Sequence, residues 1–159
     1  MEPHSADEID DSRIELVVAR GKTVTSVRRI FYVFGDEVET SEGAVEFSFD
    51  DSTVLLLDSG ADGERLRVGT ERWMDPFEGK VTPENIEYVA RSGKYTAFDV
   101  SAEFPYSDVL GGTVDDVEMT TLPSGAVSGV SFLIGTLTLS AQTIADELIV
   151  SWESKRGEN

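Results

Sequence analysis

The stretch Gly21-Lys-Thr-Val-Thr-Ser-Val27 returns 90 residues later as Gly111-Gly-Thr-Val-Asp-Asp-Val117, and this recurrence decides the predicted fold. Three further matches follow in the same order: Val45-Glu-Phe47 with Val130-Ser-Phe132, Leu55 and Leu57 with Leu137 and Leu139, and Glu64-Arg-Leu66-Arg-Val68 with Asp146-Glu-Leu148-Ile-Val150. The offset shrinks from 90 to 85 to 82 residues, and the losses fall in predicted turns. Matches that keep their order while turns shorten are typical of an internal repeat. We therefore predict two diverged copies of one unit, at about residues 21–68 and 111–152.

Each copy contains four short segments whose alternating apolar and polar residues predict β-strands with one buried face. The predicted strands are Val24–Phe34, Ala44–Phe49, Val54–Leu57 and Arg65–Val68 in the first copy, and Val114–Leu122, Val127–Ile134, Thr136–Leu139 and Leu148–Trp152 in the second. Short links between consecutive strands indicate antiparallel meanders. Because four strands alone leave an apolar face in water, we expect the copies to pack together about a pseudo-two-fold axis. The result is a single mainly β (α+β) domain spanning residues 1–159.

The connector between the copies, residues 69–110, is predicted to be folded. Thr82 suits a helix N-cap, Pro83 the first helical position and Gly93 the C-terminal end, so one helix is expected between them. Seven of the 14 aromatic residues of the chain lie between Trp73 and Tyr106, which indicates packing and not a free linker. Before the first copy, residues 12–20 suit either a short helix or a strand.

The charge balance is the strongest signal in the composition. The 159 residues include 31 acids and 13 bases, a net charge of −18, and the two parts divided at Val68 each carry −9. A surface of this kind repels nucleic acid and anionic membranes and attracts basic proteins. The alternative is that the acids serve only solubility, as in a salt-adapted protein. The acidic N-terminus lacks the pattern of a signal peptide and no apolar run approaches the ~20 residues of a membrane helix, so a cytoplasmic protein is expected.

No pattern for catalysis or for a cofactor is present in the sequence. The chain has no cysteine and one histidine, His4, which argues against nucleophilic triads and zinc sites. The acids at Asp50-Asp51, at Asp58 with Asp62-Gly63-Glu64, and at Asp115-Asp116 lack the spacing of a calcium loop and suit turns. We therefore predict a protein without enzymatic activity, cofactor or metal site.

Partner binding is the remaining class of function, and two kinds of residue suit it. The acid pairs Asp50-Asp51 and Asp115-Asp116 are candidates for contacts with a basic partner. Trp73, Phe77 and Tyr106 are candidates for aromatic anchors, because each lies beside proline and acids in the connector. The alternative for Trp73 and Phe77 is that their rings cover the ends of the β-sheet.

The repeated GKTVTSV and GGTVDDV segments, the WMDPF and GKYTAFDVS segments and the acid-rich turns together resemble small acidic immunity proteins of bacterial polymorphic toxin systems. The resemblance spans most of the chain and implies a protein that binds a cognate toxin and blocks its active site. It carries no individual binding residue over to this sequence. The competing classes are a DNA mimic or an adaptor for a basic protein, and a salt-adapted structural domain whose charge serves no partner.

Overall fold

A computed structural model describes residues 12–154, which form two antiparallel β-sheets and two helices. Helix α1 covers residues 12–18 and is followed by strands β1 (Val24–Phe34), β2 (Glu37–Phe49), β3 (Val54–Ser59) and β4 (Leu66–Gly69). The connector contains α2 (Pro83–Ser92), β5 (Lys94–Asp99) and a single 3₁₀ turn (Tyr106–Asp108), and the second half consists of β6 (Val114–Thr121), β7 (Val127–Ile134), β8 (Leu137–Ile144) and β9 (Glu147–Ser154). The prediction for His4 lies outside the described residues.

The strand order confirms the predicted mainly β fold with antiparallel meanders. The first sheet has the order β4-β3-β2-β1-β5 and the second has the order β6-β7-β8-β9. β1 to β4 and β6 to β9 are therefore two meanders in which each strand pairs with the next one along the chain. β5 was not predicted, and it extends the first sheet by pairing with β1 through Arg28–Asp99 to Val33–Lys94.

The two sheets pack face to face through their apolar sides. Phe47 on β2 and Phe132 on β7 meet edge to face with ring centroids 5.6 Å apart, at the centre of one shared core. Val27 and Leu55 flank Phe47 on the neighbouring strands of the first sheet. In the second sheet, Val117 and Leu139 flank Phe132 in the same way.

This register corrects one part of the predicted repeat alignment. Leu55 lies opposite Phe47, and the residue opposite Phe132 is Leu139 and not Leu137. The match proposed for β8 is therefore wrong by two residues. A shift of two residues leaves the same side chains on the apolar face, because side chains alternate with a period of two along a strand. The common origin of the two halves remains a prediction.

The two similar segments, residues 21–27 and 111–117, meet at the junction of the two sheets. Gly21 N–H donates to Val114 O at 2.8 Å and Gly111 N–H donates to Val24 O at 2.8 Å, so each bond repeats the other at the 90-residue offset. The Thr23 and Thr113 hydroxyl oxygens lie 3.3 Å apart between these bonds. The junction thus has the local two-fold symmetry that the predicted packing requires.

The two helices differ in how they attach to the sheets. Residues 12–18 form a helix and not a strand, and Leu16 of α1 and Ala19 just after it are buried in the shared core. α2 begins where predicted: the Thr82 hydroxyl accepts from Asn85 N–H at 3.1 Å, and Pro83 occupies the first turn. In the described residues, neither helix has the length and apolar character needed to cross a membrane.

Candidate functional site

An open groove of about 860 Å³ lies on the outer face of the first sheet. The sheet forms its floor, residues 73–77 and 88–95 of the connector form one wall, and the β8–β9 turn forms the other. Four carboxylates and five aromatic rings line it: Glu42, Asp58, Asp146, Glu147, Tyr32, Trp73, Phe77, Tyr88 and Tyr95. We call this cavity the acidic groove.

A buried ion pair fixes the Trp73 wall to the floor of the groove. Glu46 on β2 is 1% exposed and accepts from Arg28 Nε at 2.7 Å and from Arg28 Nη2 at 2.9 Å. The same carboxylate accepts from Trp73 N–H at 2.7 Å, and Arg28 Nη2 donates to Trp73 O at 3.0 Å. Both polar backbone groups of Trp73 are thus held by one pair of side chains.

Two separate pairs of aromatic rings also line the groove. The centroids of Phe77 and Tyr88 are 5.8 Å apart, and those of Tyr32 and Tyr95 are 5.4 Å apart in an edge-on arrangement. The Tyr32 hydroxyl donates to the carbonyl of Ser92, the last residue of α2. These contacts present a set of packed rings to the groove.

The opposite wall comes from the second half of the chain. Ala145 and Asp146 both have positive φ (51° and 74°), as a two-residue turn between β8 and β9 requires. Asp146 N–H donates to Gly63 O at 3.0 Å, and its carbonyl accepts from Ser59 Oγ at 3.0 Å. A Cβ at position 63 would lie 2.0 Å from Asp146 Oδ1, so a larger residue there would displace this carboxylate, and the φ of +75° at Gly63 also favours glycine.

Two carboxylates of the groove have raised pKa values, which means that their negative charge is disfavoured there and that a bound cation would be favoured. Burial is the main cause that raises the pKa of Glu42, followed by the charges of Glu147, Glu39 and Asp58, while Arg29 acts in the opposite direction. Burial also raises the pKa of Asp58.

The hydroxyl of Tyr95 is affected by the same carboxylates. Its pKa is raised by burial and then by the charges of Glu42 and Asp58. The groove therefore disfavours negative charge at several separate positions. A cation placed there would relieve this repulsion.

Lys94 is the one lysine or arginine among the residues that line the groove, and its charge is already engaged. Its Nζ lies 2.5 Å from Asp75 Oδ2 and 5.8 Å from the centroid of the Phe77 ring. Within residues 12–154, no group of three or more acidic or histidine side chains has the arrangement of a metal site. The rings instead suit an organic cation, since ammonium and guanidinium groups are attracted to aromatic faces.

The structure places two of the predicted binding residues in this groove. Trp73 and Phe77 both line it and both remain partly accessible. The backbone of Trp73 is held against the outer face of the first sheet by Arg28 and Glu46, and the Phe77 ring contacts Tyr88 on α2. The sequence did not indicate the groove acids Glu42, Asp146 and Glu147, and Asp58 was weighed as a metal ligand and then assigned to a turn.

The predicted acid pairs lie together, but away from the groove. Asp50 and Asp51 follow β2 at the end opposite Glu42, and Asp50 N–H donates to Thr23 O at the sheet junction. Asp115 and Asp116 begin β6 beside the same junction. All four acids lie near the sheet junction, and none of them lines the groove.

Tyr106 is not available as an exposed anchor. It is 8% exposed, and its hydroxyl accepts from Arg29 Nη1 at 2.7 Å. Arg29 is itself buried, and it also donates to the carbonyls of Gly43 and Ala44 at 3.0 and 3.2 Å. Tyr106 therefore satisfies a buried guanidinium in the core, and we correct its assignment as a partner contact.

Comparison with family models, with characterised proteins and with solved structures gave no match for this chain.

Proposed function

We propose that this chain is a non-enzymatic binding protein of the immunity type, which inhibits a basic partner such as a cognate toxin through the acidic groove. The observation that carries the proposal is the meeting of four carboxylates with five aromatic rings in one open cavity. The proposal replaces the acid pairs at the sheet junction with the groove as the place of contact.

Lysine and arginine side chains suit this groove for two separate reasons. Their charge relieves the repulsion that raises the pKa of Glu42 and Asp58, and their heads can lie on the faces of Trp73 or Tyr95. The net charge of −18 adds a long-range field that speeds the approach of a basic protein at low salt. Affinity is thus concentrated in the groove, while the whole surface contributes to the association rate.

The test uses two variants with the same change in net charge. The groove variant carries Glu42→Gln, Asp58→Asn and Glu147→Gln, and the junction variant carries Asp50→Asn, Asp51→Asn and Asp115→Asn. Each tagged protein is incubated with a lysate of the source organism, and the captured proteins are identified by mass spectrometry. Association and dissociation rates of the purified partner are then measured across a salt series.

We expect the wild-type protein and the junction variant to retain a basic partner that the groove variant loses. The junction variant should mainly lower the association rate, whereas the groove variant should also raise the dissociation rate, by a factor of about 30 if the contact is worth about 2 kcal/mol. Equal losses in both variants would show that binding depends only on overall charge. A partner with an acidic binding face would refute the proposal.

A further inference from the structure

The first hairpin extends past the body of its sheet and leaves one edge of β2 without a partner strand. β1 pairs with β2 as far as the Phe34–Glu37 pair, whereas β3 pairs with β2 only from Val45 to Ser48. Among the described strands, no other pairs with β2. Residues 37–41 are all exposed, so a stretch of strand backbone is open to solvent.

The turn of the hairpin determines which backbone groups face this open edge. Gly35 and Asp36 form a two-residue turn, so Phe34 and Glu37 are a hydrogen-bonded pair and Val33 and Val38 are not. The N–H and C=O of Val38 consequently point away from β1. They offer one donor and one acceptor to an additional strand.

The charge along the edge selects what can be added. Glu37 and Glu39 flank Val38, and a bulge in β2 between Glu39 and Ala44 carries Glu42, which lines the acidic groove. Like charges on paired strands are destabilising, so these acids keep a second copy of the chain from pairing here and favour a basic strand. Because Glu39 pairs with Tyr32, a side chain opposite Glu39 on an added strand would lie on the groove side of the sheet.

We propose that the partner docks a basic, extended segment as a strand along the free edge of β2, with lysine or arginine side chains directed into the acidic groove. This inference rests on the proposed function and specifies the form of the ligand. Main-chain hydrogen bonds to Val38 would supply affinity, and the groove would supply the preference for basic side chains.

The test uses a probe peptide of nine residues that alternates threonine and lysine and has blocked ends. Val38→Pro removes the N–H that faces the free edge, and edge strands tolerate proline at such positions. Val38→Thr is the matched control, because it alters the same side chain and keeps the N–H. Fluorescence anisotropy at 0.15 M salt gives the affinity, and amide hydrogen exchange reports protection at Val38.

We expect the peptide to bind the wild-type protein and the threonine variant with similar affinity, within about twofold. Val38→Pro should weaken binding by about tenfold or more, and bound peptide should slow exchange of the Val38 amide by a similar factor. If Val38→Pro binds as well as wild type while the groove variant does not, strand addition is wrong and the proposed function stands. If the peptide does not bind, or binds the groove variant equally well, both fail.

Discussion

Replacing Glu46 with glutamine tests whether the buried ion pair holds the connector on the first sheet. The carboxylate accepts two hydrogen bonds from Arg28 and one from Trp73 N–H, and the amide keeps only one acceptor oxygen. Breaking one partner of a buried pair costs about 3–5 kcal/mol. Because the Arg28 side chain is 20% exposed, water can solvate part of the released charge, and we expect a loss of about 2–3 kcal/mol. For a chain of this size Tm should fall by about 4–12 °C.

The pH dependence of this loss provides an internal check. Burial would raise the pKa of Glu46, but the hydrogen bonds from Arg28 and Trp73 and the charges of Arg28 and Arg72 outweigh it, so the pKa lies below the ordinary 4.5. Because the pKa of Glu46 is lower in the folded state than in the unfolded state, ionised Glu46 stabilises the fold above pH 4.5. This stabilisation is lost as the pH falls through the pKa of the folded state. Urea unfolding from pH 7 to pH 3 should therefore show the two proteins converging in acid. The exposed Glu118→Gln serves as the control, and a Glu46→Gln loss below about 1 kcal/mol at pH 7 would refute the reasoning.

Three smaller predictions concern single residues. Glu42→Gln should stabilise the protein at pH 7 by less than about 1 kcal/mol, because the raised pKa of Glu42 means that its charge opposes folding above pH 4.5; a loss in urea unfolding would contradict this. Gly93→Ala should cost about 2 kcal/mol or more, because its Cβ would lie 2.5 Å from the carbonyl oxygen of Val33 on β1. Gly79 has a similar positive φ but open space around it, so Gly79→Ala should cost only about 1 kcal/mol. Equal losses would show that the contact with Val33 does not matter. Tyr106→Phe should cost about 1–3 kcal/mol, because Arg29 Nη1 loses its hydroxyl acceptor while the bonds from Arg29 to Gly43 O and Ala44 O remain. Partner affinity should stay unchanged, and a selective loss of affinity would restore Tyr106 as an anchor.

The strands could be predicted because one face of each is buried and the other is not. In β8, buried and partly exposed residues alternate, and β7 is mostly buried, so both strands have a recognisable pattern in the sequence. The start of α2 could be predicted from Thr82 and Pro83 alone, because these residues suit the N-cap and the first helical position. β5 escaped prediction because most of its residues are half-buried on both faces, so no alternation marks it. Its position became clear only from its pairing with β1.

The acidic groove could not be predicted because its carboxylates come from distant parts of the chain. Glu42 and Asp58 lie on the first sheet, whereas Asp146 and Glu147 belong to the last hairpin. With 31 acids in the chain, the sequence offers no basis for choosing these four. The acid pairs drew attention because they are adjacent, yet adjacency in sequence reports a turn more often than a site.

The groove exists on only one of the two sheets, and the outer faces of the sheets explain why. Most side chains on the outer face of the second sheet are polar, including Ser131 and Ser140, whose hydroxyl oxygens lie 2.7 Å apart. The outer face of the first sheet carries Ile30 and the Arg28–Glu46 pair, which require a cover. The connector supplies that cover, and the space it leaves against the β8–β9 turn is the groove. A function that depends on the groove should therefore be sensitive to changes that loosen the connector, and insensitive to polar substitutions on the outer face of the second sheet.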